Sequence, residues 1–291
     1  MHKGEPFFDF PKYNTTGVIK ELYNPKQFKK IFALSRLYNY SIHAGHIDNV
    51  LMFYNHRQLN GAYNKSSTNK NFITAIEIID YVGYEHYLLV GKENGNILHY
   101  KVDFEALDDF IKYPDENLYN AFFYKSIIHS HSRGITSIKY NSYINIWIST
   151  SKDGFVHLYN YSGDLILSVY IKSKNIKYAI ISSDPIPCFL VYFENEIDCY
   201  LLNQVKPLRK LNLKTEVYNF DIIKSNCFED FLVCQDDEKI YIISIPYLEI
   251  AAEINEKVTS FDYLQNEKLI IGFLRHEDES KVTIKKIKCD I

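Results

Sequence analysis

One short run of the sequence combines residue types that could act as a nucleophile and its base. Ser151 and Lys152 are adjacent and are followed by Asp153 and Gly154. A serine–lysine pair supports nucleophilic catalysis when the lysine is buried and its pKa is depressed. Asp-Gly is also typical of the tight turn between two antiparallel strands, where a lysine is solvated. The sequence therefore favours a hairpin turn, and we predict no catalytic residue.

Histidine pairs and acidic runs are the next candidates, because they could hold a cation. The pairs with short spacing are His129 with His131 and His43 with His46. Neither pair has a further ligand at metal-site spacing, and a site needs three or four converging ligands. The acidic runs 236–238 and 276–280 are more typical of solvated loops. Phosphate-binding glycine motifs, G-x-S-x-G and H-E-x-x-H do not occur. We predict neither a metal nor a cofactor.

The composition limits the class of protein. Among 291 residues are 25 tyrosines and 19 phenylalanines, and this aromatic content favours strands over helices. A net charge of −3 argues against nucleic-acid binding, which needs a basic surface. The five cysteines, never spaced C-x-x-C, indicate a reducing compartment. No apolar run approaches the roughly 20 residues of a spanning helix. We expect a cytoplasmic protein without direct membrane insertion.

Short alternating runs bounded by Asn, Asp or Gly dominate the chain and predict strands. The clearest of these runs are 96–102, 155–160, 239–245 and 281–287. In each of them apolar residues fall on one face and polar residues on the other. Helix candidates are brief, at 25–32 and 103–113. We therefore predict an all-β protein.

Three runs, 44–55, 90–101 and 150–160, repeat one pattern. Each has small residues, an acidic or amide turn, and alternating apolar residues that close on a tyrosine. The turn residues and closing residues keep common intervals of 46 and 59 residues: Asp48, Asn94 and Asp153, with Tyr54, Tyr100 and Tyr159. Weaker copies follow at 193–203 and 234–244, with turn residues Asn195 and Asp237 at two further intervals of 42 residues. Units of about 40–45 residues with four strands are typical of β-propeller blades.

The third unit, residues 131–160, matches a WD repeat without gaps. His131 stands at the histidine of the Gly-His pair, Ser149 closes the second strand, and Asp153 occupies the turn. Tyr159 replaces the usual tryptophan. In such repeats the aspartate accepts a hydrogen bond from the histidine, which contacts the serine and then the aromatic. We expect the same network here, because the phenol retains a donor.

The succession of units resembles the C-terminal WD-repeat propeller of BEACH-domain proteins, the neurobeachin-like family. The runs 44–55 and 149–170 match two blades of that family in order, and 188–203 shares the lack of a turn aspartate. The resemblance implies a single WD-repeat β-propeller over residues 1–291. Six blades are recognisable in the sequence, and a seventh could form from the termini, so both six and seven blades stay open.

Two segments depart from a regular blade. Residues 1–28 are expected to form an irregular segment or a partial blade, and residues 103–130 an insertion between blades. Within the latter, we favour 122–128 as the fourth strand of the second blade, which leaves 103–120 as the insertion. The chain holds no BEACH or PH-like domain, so we expect a fragment of a longer chain or a separate propeller subunit.

The resemblance further implies a non-enzymatic scaffold that binds other proteins in vesicle or membrane trafficking or autophagy. A BEACH/PH-type region of the parent chain is one expected partner, and it would place the protein at the periphery of endomembranes. The alternatives are a subunit of another coat, tethering or regulatory complex, and a propeller enzyme acting at its central channel. We expect the partner surface on one rim, which includes Lys92, Glu93, Asp109, Tyr113 and Lys152.

Overall fold

The computed structural model describes twelve ranges of the chain, and every regular element in them is a β-strand. These ranges are 31–37, 40–45, 51–55, 58–61, 73–81, 85–103, 122–172, 175–224, 229–255, 260–264, 269–275 and 282–288. No helix within them could cross a membrane. Residues 1–28, assigned to a partial or seventh blade, lie outside the described residues.

The chain divides into two compact units at Ser168 and Val169, and the prediction of one domain over 1–291 stays a prediction. The first unit holds three antiparallel sheets whose strands follow one another along the chain. Sheet I contains β1 (Ile31–Leu37), β2 (Tyr40–Gly45), β3 (Leu51–Asn55) and β4 (Gln58–Gly61). Sheet II contains β5 (Ile73–Tyr81), β6 (Glu85–Lys92), β7 (Asn96–Val102) and β8 (Phe122–His129). Sheet III contains β9 (Ile135–Asn141), β10 (Ile146–Ser151), β11 (Phe155–Asn160) and β12 (Leu165–Tyr170).

The second unit repeats the same arrangement. Sheet IV contains β13 (Ile176–Ser182), β14 (Cys188–Phe193), β15 (Glu196–Leu201) and β16 (Arg209–Asn212). Sheet V contains β17 (Tyr218–Lys224), β18 (Asp230–Gln235), β19 (Ile240–Ser244) and β20 (Ile250–Ile254). Sheet VI contains β21 (Ser260–Leu264), β22 (Leu269–Arg275) and β23 (Val282–Lys288). The repeating units predicted from the sequence therefore correspond to successive sheets.

In sheets III, IV and V, burial falls from the second strand to the fourth. Strands β10, β14 and β18 are buried along nearly their whole length, and their apolar runs are continuous because both faces are covered. The fourth strands β12, β16 and β20 are mostly exposed. The first three strands therefore supply the core, and the fourth strand forms an outer edge.

Two apolar clusters lie between consecutive sheets. In the first unit, Ile79 and Leu89 of sheet II pack with Trp147 of sheet III. In the second unit, Tyr192 of sheet IV packs with Leu232 of sheet V. Each fully buried side chain of this size contributes roughly 2 kcal/mol of transfer free energy. The stability of a sheet thus depends on its neighbour within the same unit.

Sheets II and III pack tightly at Gly91. A Cβ on this residue would lie 2.8 Å from Cγ2 of Ile135. Nearby, Glu77 accepts a hydrogen bond from the backbone N–H of Tyr140 at 3.2 Å. The glycine at the end of β6 is therefore needed for the packing of β9.

Strand β8 confirms the fourth strand favoured at 122–128 and corrects the assignment of 103–130 as an insertion between blades. Val102 pairs with Phe122, and Asn96 pairs with His129, so residues 122–129 form the fourth strand of sheet II. The connection that begins after Asp103 lies within one sheet and does not join two sheets.

Candidate partner-binding surface

The turn between β10 and β11 is held by the carboxylate of Asp153. Both of its oxygens lie 3.2 Å from Nδ1 of His131. The backbone N–H of Ser132 donates to Oδ2 at 2.9 Å, and that of Phe155 donates to Oδ1 at 2.9 Å. One carboxylate therefore fastens the connector before β9 to the turn after β10.

His131 extends this contact into the core of sheet III. Its Nε2 lies 2.9 Å from Oγ of Ser149. A carboxylate can only accept, so the Asp153 contact places the proton on Nδ1, and Nε2 accepts from the serine hydroxyl. Burial lowers the pKa of His131, although Asp153 opposes this shift. The ring is therefore neutral at pH 7 and can act as donor and acceptor at once.

The carboxyl of Asp153 stays ionised in this partly buried position. Burial raises its pKa, but hydrogen bonds from the backbone of Phe155 and Ser132, with the contribution of His131, outweigh burial and lower it. Several donors directed at one carboxylate therefore compensate for its lost hydration.

Tyr159 stands at the tryptophan position of the WD repeat. Its ring stacks on Trp147, with centroids 4.0 Å apart and planes at 14°. Its hydroxyl contacts Ser149, and it lies 3.1 Å from Nδ1 of His157. Burial raises the pKa of Tyr159. The tyrosine thus combines a packed ring with a hydroxyl in the polar network.

His157 completes the stack beneath the turn. Its ring lies 4.2 Å from that of His131, at 12°. Burial, with a smaller contribution from His131, lowers the pKa of His157 to about 4. Two neutral imidazoles can stack in this way, whereas two imidazolium ions would repel each other.

The structure brings together four of the eight residues predicted to form blade networks: His131, Ser149, Asp153 and Tyr159. In the β6–β7 turn, Oδ1 of Asn94 accepts from the backbone N–H of Asn96 at 3.2 Å. Asp153 makes the equivalent contact with Phe155.

The remaining three predicted residues have other positions. Tyr100 lies on β7 opposite Leu88, with its ring edge-on to Tyr124 at 5.9 Å. Tyr54 lies on β3 opposite Ser41. Asp48 lies outside the described residues.

A second carboxylate network occurs in sheet V, and the sequence pattern did not predict it. Asp236 Oδ2 accepts from Oγ1 of Thr215 at 2.7 Å and from the hydroxyl of Tyr241 at 2.8 Å. Oδ1 accepts from the backbone N–H of Lys239 at 2.7 Å. As at Asp153, one carboxylate joins the preceding connector, the turn and an aromatic residue of the third strand.

The sequence carried a signal for this second network. Thr215 and Asp236 are 21 residues apart, and His131 and Asp153 are 22 apart. The repeat interval instead pointed to Asp237, which accepts a hydrogen bond from Tyr218. The spacing of 22 residues counted from Thr215 also reaches Asp237, so spacing alone locates this network only to within one residue.

In the first unit, three consecutive segments form one hydrogen-bonded edge, which we call the turn rim: residues 93–95, 131–134 and 152–155. His131 N donates to Gly95 O at 3.2 Å. Lys152 N donates to Gly134 O at 3.0 Å. The turn rim is therefore a continuous backbone surface at one end of sheets II and III.

The turn rim exposes side chains of mixed character: Glu93, Ser132, Arg133, Lys152 and Phe155. Glu93 and Lys152 were predicted at this surface. Lys92 was predicted there as well, but its exposure is only 5%, and burial lowers its pKa to about 8. Lys92 ends β6 inside the packing, so its place in a solvent-facing surface is corrected.

Asp109 and Tyr113, the other two residues predicted on this rim, lie outside the described residues. The strand ends that lead to them, Val102 and Phe122, pair at the end of sheet II remote from the β6–β7 turn. The assignment of Asp109 and Tyr113 to the rim stays a prediction.

The Ser151–Lys152 pair does not have the geometry of a nucleophile and its base. Ser151 Oγ donates to the carbonyl of Arg133 at 2.8 Å and accepts from Asp153 N at 3.2 Å. Ser151 is buried, whereas Lys152 is exposed. The serine hydroxyl thus serves the turn. Within the described ranges, no three His, Cys, Asp or Glu side chains are grouped as metal ligands would be.

Comparisons with known proteins identify the fold. No protein-family model matches the chain, and no curated protein matches it in sequence. Its structure is similar to a WD-repeat propeller chain in the crystal structure of the mitotic checkpoint complex, with a TM-score of 0.62 and 14% sequence identity. The match covers 88% of this chain and 77% of that chain. The chain therefore has a WD-repeat β-propeller fold, as its sequence predicted.

Proposed function

We propose that this protein is a non-enzymatic interaction module that binds a partner protein through the turn rim. The observation that carries the proposal is the hydrogen-bonded continuity of the three rim segments. It fixes Glu93, Arg133, Lys152 and Phe155 on one exposed edge. A preorganised surface loses less conformational entropy on binding. Charged groups beside an aromatic ring can supply both specificity and apolar contact area.

The specific form of the proposal is a BEACH-type scaffold in vesicle or membrane trafficking or autophagy. Its partner is a BEACH/PH-type region of the parent chain or of a second chain. The support is the sequence resemblance at 44–55, 149–170 and 188–203, runs that fall in sheets I, III and IV in the family's order. The protein would act in the cytoplasm and reach endomembranes through this partner.

The test is direct binding between the purified chain and a purified PH–BEACH fragment from the same organism. The rim variant Glu93→Lys/Arg133→Glu/Lys152→Glu should weaken binding by at least about tenfold without lowering the melting temperature. The matched control, Lys172→Glu/Lys214→Glu, changes exposed cations of the second unit and should bind normally. Equal binding by the rim variant would contradict the proposed surface.

A second candidate is a WD-repeat subunit of a coat, tethering or regulatory complex. The structural neighbour favours it, because that chain comes from the mitotic checkpoint complex. In this case the tagged chain would co-purify with a defined complex and would not bind the PH–BEACH fragment. Mass spectrometry of complexes from the wild-type chain and the rim variant separates the two candidates.

A further inference from the structure

The second unit exposes apolar side chains at one end of sheets IV and V. We call this set the apolar turn patch: Ile186 (45% exposed), Val205 (60%), Leu208 (40%) and Tyr247 (60%). They come from three connections, β13–β14, β15–β16 and β19–β20. Because successive strands are antiparallel, all three connections lie at the same end of their sheets.

Hydrogen bonds between the two sheets show that these ends coincide. Oδ2 of Asp230, the first residue of β18, accepts from Ser182 Oγ at 2.7 Å and from Asp184 N at 3.2 Å. Asp230 N in turn donates to Asp184 O at 3.3 Å. The β13–β14 connection is thus anchored to the start of β18, beside the other connections of the patch.

The connections that carry the patch are also internally braced. Leu208 N donates to Cys199 O at 2.7 Å, across the β15–β16 connection. Leu248 N donates to Ser244 O, and Ser244 N donates to Glu249 O, both at 2.9 Å. Their exposed tips are therefore fixed by backbone hydrogen bonds.

The opposite end of the same sheets has a different surface. The turns Glu194–Asn195 and 236–238 and the connector 214–216 expose polar residues and no large apolar side chain. Single exposed apolar residues are ordinary, but several at one end, with none at the other, indicate an interaction site.

Two cations determine the chemistry of the partner. Lys206 and Arg209 flank Leu208 and are exposed, and neither makes an ion pair with any described carboxylate. A partner that covers Leu208 must also remove water from these two cations. Burying a charge is unfavourable unless an opposite charge compensates it.

We propose that the apolar turn patch binds an acidic amphipathic segment of a partner protein, with apolar side chains over Leu208 and Tyr247 and carboxylates on Lys206 and Arg209. This surface is distinct from the turn rim. A protein segment fits better than a lipid surface, because anionic membranes recruit clusters of about four to eight basic residues. The described connections of the patch supply one, Lys206, and the start of β16 supplies Arg209, with Asp184 and Glu249 as acidic residues of the same connections.

The experiment uses two labelled helical peptides and the full chain. One peptide carries Leu and Phe on one face and Glu on the other, and its twin carries Lys in place of every Glu. Fluorescence anisotropy should show saturable binding of the acidic peptide and no binding of the basic twin. Val205→Ser/Leu208→Ser should weaken binding by about tenfold or more. Lys206→Glu/Arg209→Glu should weaken binding of the acidic peptide and allow the basic twin to bind.

The controls separate this surface from the turn rim. The rim variant Glu93→Lys/Arg133→Glu/Lys152→Glu should bind the acidic peptide normally, whether or not it still binds the PH–BEACH fragment. Tyr247→Ser provides a second apolar readout if the double serine variant fails to fold. The proposal is overturned if the two peptides bind equally, if neither binds, or if the patch variants leave binding unchanged. Sedimentation with vesicles containing about one third phosphatidylserine, without peptide binding, would assign the patch to a membrane instead.

Discussion

Gly95 and His131 meet backbone to backbone where sheet II passes to sheet III. His131 N donates to Gly95 O at 3.2 Å, and a Cβ on Gly95 would lie 2.2 Å from His131 O. The φ angle of Gly95 is +87°, in the region that favours glycine. The turn and the connector therefore fit together only while position 95 lacks a side chain.

We predict that Gly95→Ala lowers the free energy of unfolding by more than about 2 kcal/mol, because strain at positive φ adds to the steric conflict with His131. Urea denaturation followed by circular dichroism measures the change. Asn94→Ala, which removes one exposed side-chain contact, should cost less than about 1 kcal/mol. A similar loss in both variants would show that the close approach is unimportant.

Asp153→Ala should destabilise the protein by about 2–4 kcal/mol, because it leaves the donors of His131, Ser132 and Phe155 without their shared acceptor. Lys152→Ala, at the exposed neighbouring position, should change stability by less than about 0.5 kcal/mol. Thermal and urea unfolding of both variants provide the measurement. If Lys152→Ala proved the more damaging, the network would not be what stabilises the turn.

In the second unit, Asp236→Ala should cost more stability than Asp237→Ala. Asp236 holds Thr215, Tyr241 and the turn backbone, whereas Asp237 accepts from Tyr218 at the surface. Hydrogen exchange should show faster exchange at 213–217 and 239–241 in Asp236→Ala. Equal protection in the two variants would reject Asp236 as the turn anchor.

Acid should destabilise the first unit through His99. Burial, with a smaller contribution from Lys125, lowers the pKa of His99 from 6.5 to about 4, and neither ring nitrogen has a hydrogen-bond partner among the described residues. Between pH 6.5 and 4 the unfolded chain binds a proton that the folded chain does not. Stability therefore falls as the pH falls, by up to about 1.4 kcal/mol per pH unit for this group.

His99→Phe should make this pH dependence shallower by the contribution of one proton, because phenylalanine cannot be protonated and can still pack against Tyr87. Unfolding free energies from pH 7 to 4 test this. His129→Phe, at an exposed position of β8, serves as the control. An unchanged slope in His99→Phe would show that His99 does not resist protonation in the folded protein.

The strands were predictable where alternation and turn residues agreed. β7 and β11 span the predicted residues, 96–102 and 155–160, because apolar residues alternate between clear turns. The helix predicted at 25–32 is wrong at its end, since Ile31 and Phe32 belong to β1. A run that short has no periodicity long enough to separate helix from strand.

The rim side chains were less predictable, because their exposure depends on contacts between neighbouring segments. Lys92 and Ser151 each end a second strand, and both are buried, although lysine is usually solvated. The burial of these two side chains depends on their position before the following turn, and the residue type alone does not predict it. Asp236 was missed for a related reason, since the spacing from connector to turn is 21 residues in sheet V and 22 in sheet III.

Trp147, which stacks on Tyr159, is an intrinsic fluorescent probe of one sheet. The chain contains a single tryptophan, and this residue is fully buried in sheet III. Selective excitation of its indole therefore monitors one sheet of the first unit, while circular dichroism averages over every strand. Coincident unfolding curves from the two signals would mean that this sheet melts with the rest of the chain. A separated fluorescence transition would reveal that it unfolds on its own.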